Sequence, residues 1–290
     1  MVSFYLFRVG QGQCGALQFP DGGWCFFDLG CSRSFSPVLW VAEATGTFIC
    51  HRLTLSHLHY NHLADYLNLF RYPVTTARLV DLDHRYLLAC LDSCSRTTAK
   101  IHLLSCWEMA KLRPQAGDWH QEGIQIRDRQ IPLPLSRQVA GDPQSQVNNA
   151  GLVTRIEIYG RVLLILGDLQ REIWEPLLVL DQKESAAWRN FLGGVDILIA
   201  PYHGQPEGFS ALLLEVARPK LVLIPATAAF PVADSRYYQL PCPESGGFIP
   251  VLSTAQHGHL RLDFLPPILP ELTGLMTWSA AFDHPPGPRL

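Results

Sequence analysis

Apolar positions fall in short blocks of four to eight residues, each closed by glycine, proline, asparagine or aspartate, and this pattern predicts strands joined by turns. Residues 2–9 and 14–19 are strand-like and flank Gly10-Gln11-Gly12-Gln13, whose glycines permit a tight turn, so a β-hairpin opens the chain. Asp21-Gly22-Gly23 turns the chain into the apolar strand Trp24-Cys25-Phe26-Phe27, which ends on Asp28. A short helix is expected over 36–45. The strand Arg52-Leu53-Thr54-Leu55-Ser56 runs into His57-Leu58-His59-Tyr60-Asn61-His62, after which a helix reaches to about residue 70. Residues 77–131 are mixed, with a helix over 83–93 and strands near 101–105 and 123–131. Pro132 to Gln146 has the composition of an exposed loop.

From residue 148 onward the pattern changes to a β-α-β rhythm. A hairpin over 151–158 and 161–167 ends at Gly167-Asp168. A strand over 195–200 ends at Pro201-Tyr202-His203-Gly204, and a helix over 209–217 leads to a strand over 220–225. Strands over 248–253 and 259–264 close the pattern as a hairpin. The expected organisation is one domain over residues 1–265 followed by a proline-rich tail over 266–290. Alternation within the strands places Cys25, Phe27, Leu55, Leu164, Leu166, Ile197 and Ile199 in the core.

Composition narrows the function classes. The 290 residues are 48% hydrophobic with a formal net charge of −3, enough apolar content for a sizeable core and no overall basic field for nucleic acid or anionic membrane. An anionic substrate must then be held locally. The start lacks the basic and small-residue pattern of a signal peptide, and no apolar run reaches about 18 residues, so a cytoplasmic chain without a membrane segment is expected. Eight cysteines form no Cys-x-x-Cys pair and several sit in apolar runs, where a reduced thiol packs as a small hydrophobe.

The chemistry-bearing residues gather at strand ends. His57 and His59, two apart in extended backbone, face one side, and His62 folds back when a helical turn follows. Three imidazoles can thus converge on a point, the arrangement a divalent metal requires. Asp28, Asp168 and His203 lie at other strand tips, where side chains from layered sheets meet at one edge. Singly, each has a plainer account: Asp168 as a helix N-cap, His203 as a hydrogen-bonded loop histidine.

In this order the residues resemble the metallo-β-lactamase superfamily, and within it the C-terminal domain of the DNA-uptake channel ComEC. The opening Val9-Gly10-Gln11-Gly12-Gln13, Asp21-Gly22-Gly23 and Phe27-Asp28-Leu29-Gly30 are similar to that subgroup's first blocks. So are His57-Leu58-His59-Tyr60-Asn61-His62, Asn148-Asn149-Ala150-Gly151-Leu152-Val153, Leu166-Gly167-Asp168, Ala200-Pro201-Tyr202-His203-Gly204 and Leu252-Ser253-Thr254 with Gly258. The resemblance implies a four-layer αββα sandwich of two mixed β-sheets covered by helices. It also implies one or two divalent ions, zinc or manganese, held by His57, His59, His62, Asp168 and His203. Asp168 would bridge the ions and share the catalytic work with residue 61, while Asp28, Asn149 and Tyr202 stand behind the ligands.

Departures from the pattern bear on activity. Asn61 stands where the family has Asp, keeping the shape and losing the charge, which weakens metal binding. Tyr202, Gln205 and Gly151 also replace family residues and change the pocket rim. The expected function is a metal-dependent phosphodiesterase or nuclease acting on nucleic acid or nucleotide, weakened by Asn61. An alternative is a binding or regulatory module that keeps the fold, meets a protein partner and has no productive dinuclear site. A third is hydrolysis of a carbon-based ester, thioester or lactam. Three other features have plainer expectations. His257 and His259 read as exposed turn residues, Cys90 and Cys94 as helix packing, and Arg127, Asp128, Arg129 and Arg137 as solvated charges rather than a phosphate groove.

Overall fold

The computed structural model of the protein describes residues 1–46, 48–81, 91, 97–112, 118–180, 182–226, 233–242, 246–267 and 275–280. Among these residues the chain forms two sheets of seven strands each. The first takes β1 (Val2–Leu6), β2 (Gly15–Gln18), β3 (Trp24–Phe27), β4 (Cys50–Thr54) and β5 (Val74–Arg78). It is completed from the far end of the chain by β13 (Leu260–Leu265) and β14 (Leu275–Ala280). Its order is β14-β13-β1-β2-β3-β4-β5, antiparallel as far as β3 and parallel from β3 to β5. The second holds β6 (Trp119–Gln121), β7 (Ile124–Gln130), β8 (Leu152–Ile158), β9 (Arg161–Ile165), β10 (Ile197–Ile199), β11 (Leu221–Ile224) and β12 (Val251–Ser253). It runs β12-β11-β10-β9-β8-β7-β6, parallel from β9 to β12 and antiparallel elsewhere.

Side-chain parity sorts the apolar residues into three layers. Val2, Phe4, Leu6, Cys25 and Phe27 meet Leu163, Ile165, Ile197, Ile199, Leu221 and Leu223 between the sheets. The opposite parity of the first sheet, including Tyr5, Trp24, Phe26 and Leu53, packs against Val38 and Val41 of the helix Pro37–Thr45 and Leu103 and Cys106 of the helix Thr97–Leu112. The outer face of the second sheet, with Leu164, Leu198 and Val222, packs against Trp188 and Leu192 of the helix Gln182–Leu192 and Leu213 of the helix Ala211–Ala217. This is the four-layer α/β sandwich. Strands covered on both faces are apolar at nearly every position, which is why β9, β10 and β11 show runs rather than alternation. Each fully buried aliphatic or aromatic side chain contributes roughly 1.5–3 kcal/mol relative to exposure, so the apolar layers dominate. One buried ion pair crosses between the sheets: Arg52 of β4 donates to Asp128 of β7, which also accepts from Thr154 Oγ1 at 2.6 Å. Such a pair fixes register more than it adds net stability.

The seven residues expected in the core, Cys25, Phe27, Leu55, Leu164, Leu166, Ile197 and Ile199, are all buried. Several expectations need correction. Residues 101–105 lie within the helix Thr97–Leu112, where Leu103 and Cys106 share the buried face and Ile101 and Leu104 are exposed. The supposed loop 132–146 holds the helix Leu133–Val139 and the start of the helix Pro143–Asn149, whose N-cap Asp142 accepts from the backbone of Gln144 and Ser145. Proline at the first helical turn starts both helices rather than breaking them. β12 and β13 are not a hairpin, because β12 pairs with β11 in one sheet and β13 with β1 in the other. The expected tail carries β14, paired with β13. The continuous helix after the histidine cluster is instead a 3₁₀ turn, Tyr60–His62, and a short helix, Tyr66–Leu69. The helix over 83–93, and with it Cys90 and Cys94, lies outside the described residues save for Leu91.

Candidate metal centre

Parallel strands of both sheets end at one edge, and each end delivers a functional group. Asp28 follows β3, His57 and His59 follow β4, Asp168 follows β9 and His203 follows β10. His62 returns through the 3₁₀ turn and stays fully buried. The backbone pays a conformational cost to aim them. Asp28, Tyr202 and His203 all have left-handed φ values of 59°, 52° and 55°. Such conformations cost a non-glycine residue on the order of 1 kcal/mol or more and cluster at functional sites. Gly167, with φ of 55°, has to be glycine on a second count, since a Cβ there would lie 2.6 Å from Ser56 Oγ.

Two ligand groups result, His57 with His59 and Asp168, and His62 with Asp168 and His203; within each, the candidate ligand atoms lie within 4.8 Å of one another. Asp168 is common to both. His57 Nε2 is 3.6 Å from Asp168 Oδ2, while His62 Nε2 and His203 Nε2 lie 3.3 and 3.2 Å from Asp168 Oδ1. Hydrogen bonds on the far side of the rings fix the tautomers. His62 Nδ1–H donates to Asp28 Oδ2 at 2.8 Å, and His203 Nδ1–H donates to the Pro225 carbonyl at 3.0 Å. Ser56 Oγ–H must donate to Asp28 Oδ2 at 2.7 Å, because a carboxylate has no proton to offer, so His57 Nδ1–H donates to Ser56 Oγ at 3.0 Å. In all three rings Nε2, the atom a metal would take, then faces Asp168.

None of these inward atoms is satisfied. His57, His59, His62 and His203 Nε2 and Asp168 Oδ1 are buried without a hydrogen-bond partner. An unsatisfied buried polar atom costs about 1–3 kcal/mol, and five together are a donor set that a cation would satisfy. Imidazole nitrogens with one shared carboxylate suit zinc and similar borderline divalent ions. The residues present therefore fit one or two such ions.

The electrostatics agree. Burial, reinforced by the neighbouring His62, pushes His57 well below the usual histidine range, and burial takes His59 down to about 4, so both are neutral ligands. Burial acts the same way on His62, but the Asp168 and Asp28 carboxylates outweigh it and raise the ring to about 10. Burial opposes ionisation of Asp168, yet His203, His62 and His57 hold it well below the carboxylate range.

Asp28 is more than a strand tip: its two oxygens take the Ser56 backbone N–H at 2.7 Å, the Ser56 hydroxyl, His62 and Gln13 Nε2 at 3.2 Å. Ser56 and Gln13 carry this network and were not singled out by sequence; only hydrogen-bonding partners distinguish them from turn residues. Asn149 accepts from the Gln170 backbone at 2.8 Å and donates to Gln170 Oε1 at 3.1 Å, pinning the loop beyond Asp168. Tyr202 is half-buried in the wall, its hydroxyl kept protonated by burial and by the charge of Asp168. Asn61 lines the same cavity with its side-chain amide donating to the Gln11 carbonyl at 3.0 Å. The other polar features are accounted for elsewhere. Arg127 pairs with Glu157, and Arg129 pairs with Glu184 and stacks on Trp188. His259 packs on Phe35 with ring centroids 4.4 Å apart and takes the Arg8 N–H, so it is half-buried rather than an exposed turn residue. Cys14, Cys25 and Cys106 are buried free thiols.

No protein-family model and no curated protein matches the chain. Solved structures do. The E377D mutant of the β-hydroxylase CmlA, a diiron enzyme from Streptomyces venezuelae, is 13% identical with a TM-score of 0.50, over 89% of this chain and 53% of that one. This chain thus spans about half the length of the hydroxylase. A diphosphatase of the PhnP family is 12% identical with a TM-score of 0.48, over 91% of this chain and 98% of that one. A Thermotoga maritima protein described as a Zn-dependent hydrolase of the metallo-β-lactamase superfamily is 13% identical with a TM-score of 0.42, over 87% and 97%. At such identities the likeness is one of fold. The chain has a two-sheet α/β sandwich, with a histidine and aspartate cluster that could hold metal. No helix among the described residues is long and apolar enough to cross a membrane.

Proposed function

We propose that the chain is a metal-dependent hydrolase of phosphodiesters, acting on nucleic acid or nucleotides. The observation that carries this reading is the set of five buried, unpartnered ligand atoms sharing Asp168. The ordered sequence blocks similar to the ComEC C-terminal domain support the phosphodiester as substrate. When bound, zinc or manganese would acidify a water and neutralise charge on phosphoryl oxygens. The chain's own residues do the rest. Asp28 and Ser56 hold His57 and His62 in register, the Pro225 carbonyl holds His203, and Asn149 holds the loop of Asp168 through Gln170. Tyr202 presents a protonated hydroxyl as a hydrogen-bond donor in the cavity wall. The test is metal content of the purified protein, then turnover by the zinc- or manganese-loaded protein of bis(4-nitrophenyl) phosphate, single-stranded DNA, RNA, duplex DNA and a cyclic dinucleotide. Esters, thioesters and a β-lactam form the second arm. Turnover of the carbon esters without the phosphodiesters would overturn the proposal.

A second reading, a binding module that engages a protein partner, is favoured by one observation. The amide at Asn61 faces the Gln11 carbonyl and brings no charge to the cavity. Full metal loading with no turnover of any substrate would select it.

A further inference from the structure

The cavity over the metal centre has a volume of about 360 Å³. Its wall is mostly neutral: Gln11, Asn61, Gln144, Asn148 and Gln205, which all carry primary carboxamides, are among the residues that line it. Among the described lining residues none is lysine or arginine, so Asp168 and the histidines are the ionisable groups apart from the tyrosines. Asn148 is 2% exposed, and its side chain lies within hydrogen-bonding reach of His59. Tyr60, 38% exposed, adds an aromatic face at the mouth.

The rim on the β1–β2 side is closed rather than open as a groove. Asn61 Nδ2 donates to the Gln11 carbonyl, and the loop approaches so closely that a Cβ on Gly12 would lie 2.1 Å from the Asn61 carbonyl oxygen. A polynucleotide track needs the opposite features: an open channel and basic side chains spaced along the phosphates. Small-ligand cavities run from about 300 to 1,000 Å³, so this one has room for roughly one nucleotide-sized group. Carboxamides pair in two-point fashion with nucleobase edges, and an aromatic face stacks on a base.

We infer that the site takes a small phosphodiester bearing one neutral, hydrogen-bonding moiety of nucleobase size, and not a polynucleotide strand; the inference rests on the phosphodiesterase reading above. Hydrolysis joins a water oxygen to phosphorus and breaks the ester P–O bond, and the proton lost by the water balances the one taken up by the leaving oxygen. The substrate's charge is met at the metal centre, and its neutral part is recognised by the carboxamides.

The experiment compares three probes on the full chain loaded with zinc or manganese: the 4-nitrophenyl ester of thymidine 5′-monophosphate, bis(4-nitrophenyl) phosphate and a 30-nucleotide single-stranded DNA. The thymidine ester should exceed bis(4-nitrophenyl) phosphate in kcat/KM by roughly tenfold or more, as one or two added hydrogen bonds and a stacking contact allow. The 30-mer should be cut at least about tenfold less efficiently than the thymidine ester, because the described lining residues include no lysine or arginine to hold its further phosphates. Gln144→Ala and Gln205→Ala should each shrink the thymidine preference severalfold through KM. Calorimetry with thymidine 5′-monophosphate gives a readout independent of turnover, and the same variants should weaken that binding. Efficient cleavage of the 30-mer with steep salt dependence would overturn the inference and leave the phosphodiesterase reading standing. No turnover of any phosphodiester by the loaded protein would defeat that reading, and the absence of carboxamide-dependent nucleotide binding would then defeat the inference as well.

Discussion

Two cavities lie at opposite ends of the parallel strands β9–β11, and they differ in a way that volume hides. The one at the strand starts is the larger, about 640 Å³, lined by Arg161, Asp196, Lys220 and apolar side chains such as Phe209, Leu214 and Ile249. The one at the strand ends is about 360 Å³ and holds the histidines and Asp168. Both contain a buried aspartate placed by the same sheet. Asp196 is fully served: it accepts from the Val162 backbone at 2.9 Å and pairs with Arg161 and Lys220, each at 3.2 Å. Asp168 and its four histidines leave five inward atoms unmatched. Unused bonding capacity, rather than space, marks where a ligand belongs.

The largest effect that sharpens this contrast comes from neutralising each aspartate in turn. Asp168→Asn should lower metal affinity by well over about 100-fold, since it removes the shared charged ligand and not merely an outer partner. Asp196→Asn should leave metal stoichiometry intact and cost about 1–3 kcal/mol of stability, modest because Arg161 and Lys220 are partly solvated. Metal analysis paired with urea denaturation separates the two outcomes, and equal metal loss in both variants would break the contrast.

Asp28→Asn comes next. It touches no ligand atom facing the centre, yet it weakens the hold on His62 and Ser56, so metal affinity should fall by roughly 10–100-fold with the fold retained. Competition against a chromogenic chelator measures it. Asn61→Asp should act in the opposite direction and tighten metal binding by about tenfold. The carboxylate loses the donor now used on the Gln11 carbonyl and is repelled by that oxygen, which favours turning towards the cations. Unchanged affinity would mean that residue 61 does not reach the centre.

The last effect is protonic. Without metal, His62 carries a proton held by Asp168 and Asp28 up to about pH 10, whereas His59 at about 4 is already neutral over the working range. Metal would displace the His62 proton, so apparent affinity should rise by about tenfold per pH unit until pH approaches 10. Calorimetry in buffers of different ionisation enthalpy should show close to one proton released. The sign for metal-free stability is the reverse. A pKa raised on folding contributes stability fully below about 6.5 and loses it as pH climbs through about 10, so the metal-free protein should weaken in alkali.

Much of this edge was legible in the sequence because most of the candidate ligands follow the end of a strand. His57-Leu58-His59, Leu166-Gly167-Asp168 and Pro201-Tyr202-His203-Gly204 announce themselves by an apolar run that stops on a polar, chemically capable residue. What stands behind them was not legible. Ser56 and Gln13 act through hydrogen bonds to Asp28 that join residues 28 and 15 positions apart, and no period encodes such contacts. Period also misled where apolar runs were short. Ile101 to Ser105 fits a strand until the buried pair Leu103 and Cys106 shows a helical spacing. β12 and β13, close in sequence and both strand-like, fit a hairpin on pattern alone. Only the partners β11 and β1, remote in the chain, assign them to different sheets.

Pairing of β1 with β13 has a consequence for the order of assembly. Val2 sits opposite Phe264 and Leu6 opposite Leu260, while β2 occupies the other side of β1. During synthesis the first strand made can zip onto β2 within moments, yet its second neighbour emerges some 250 residues later. Until then a row of backbone N–H and C=O groups on an apolar strand stays open to any passing chain. Closing so long a loop is slow, and the sheet that carries His57, His59 and His62 cannot be completed before β13 has been made. Chaperone dependence during expression should accordingly concentrate in the interval after β2 is made and before β13 docks.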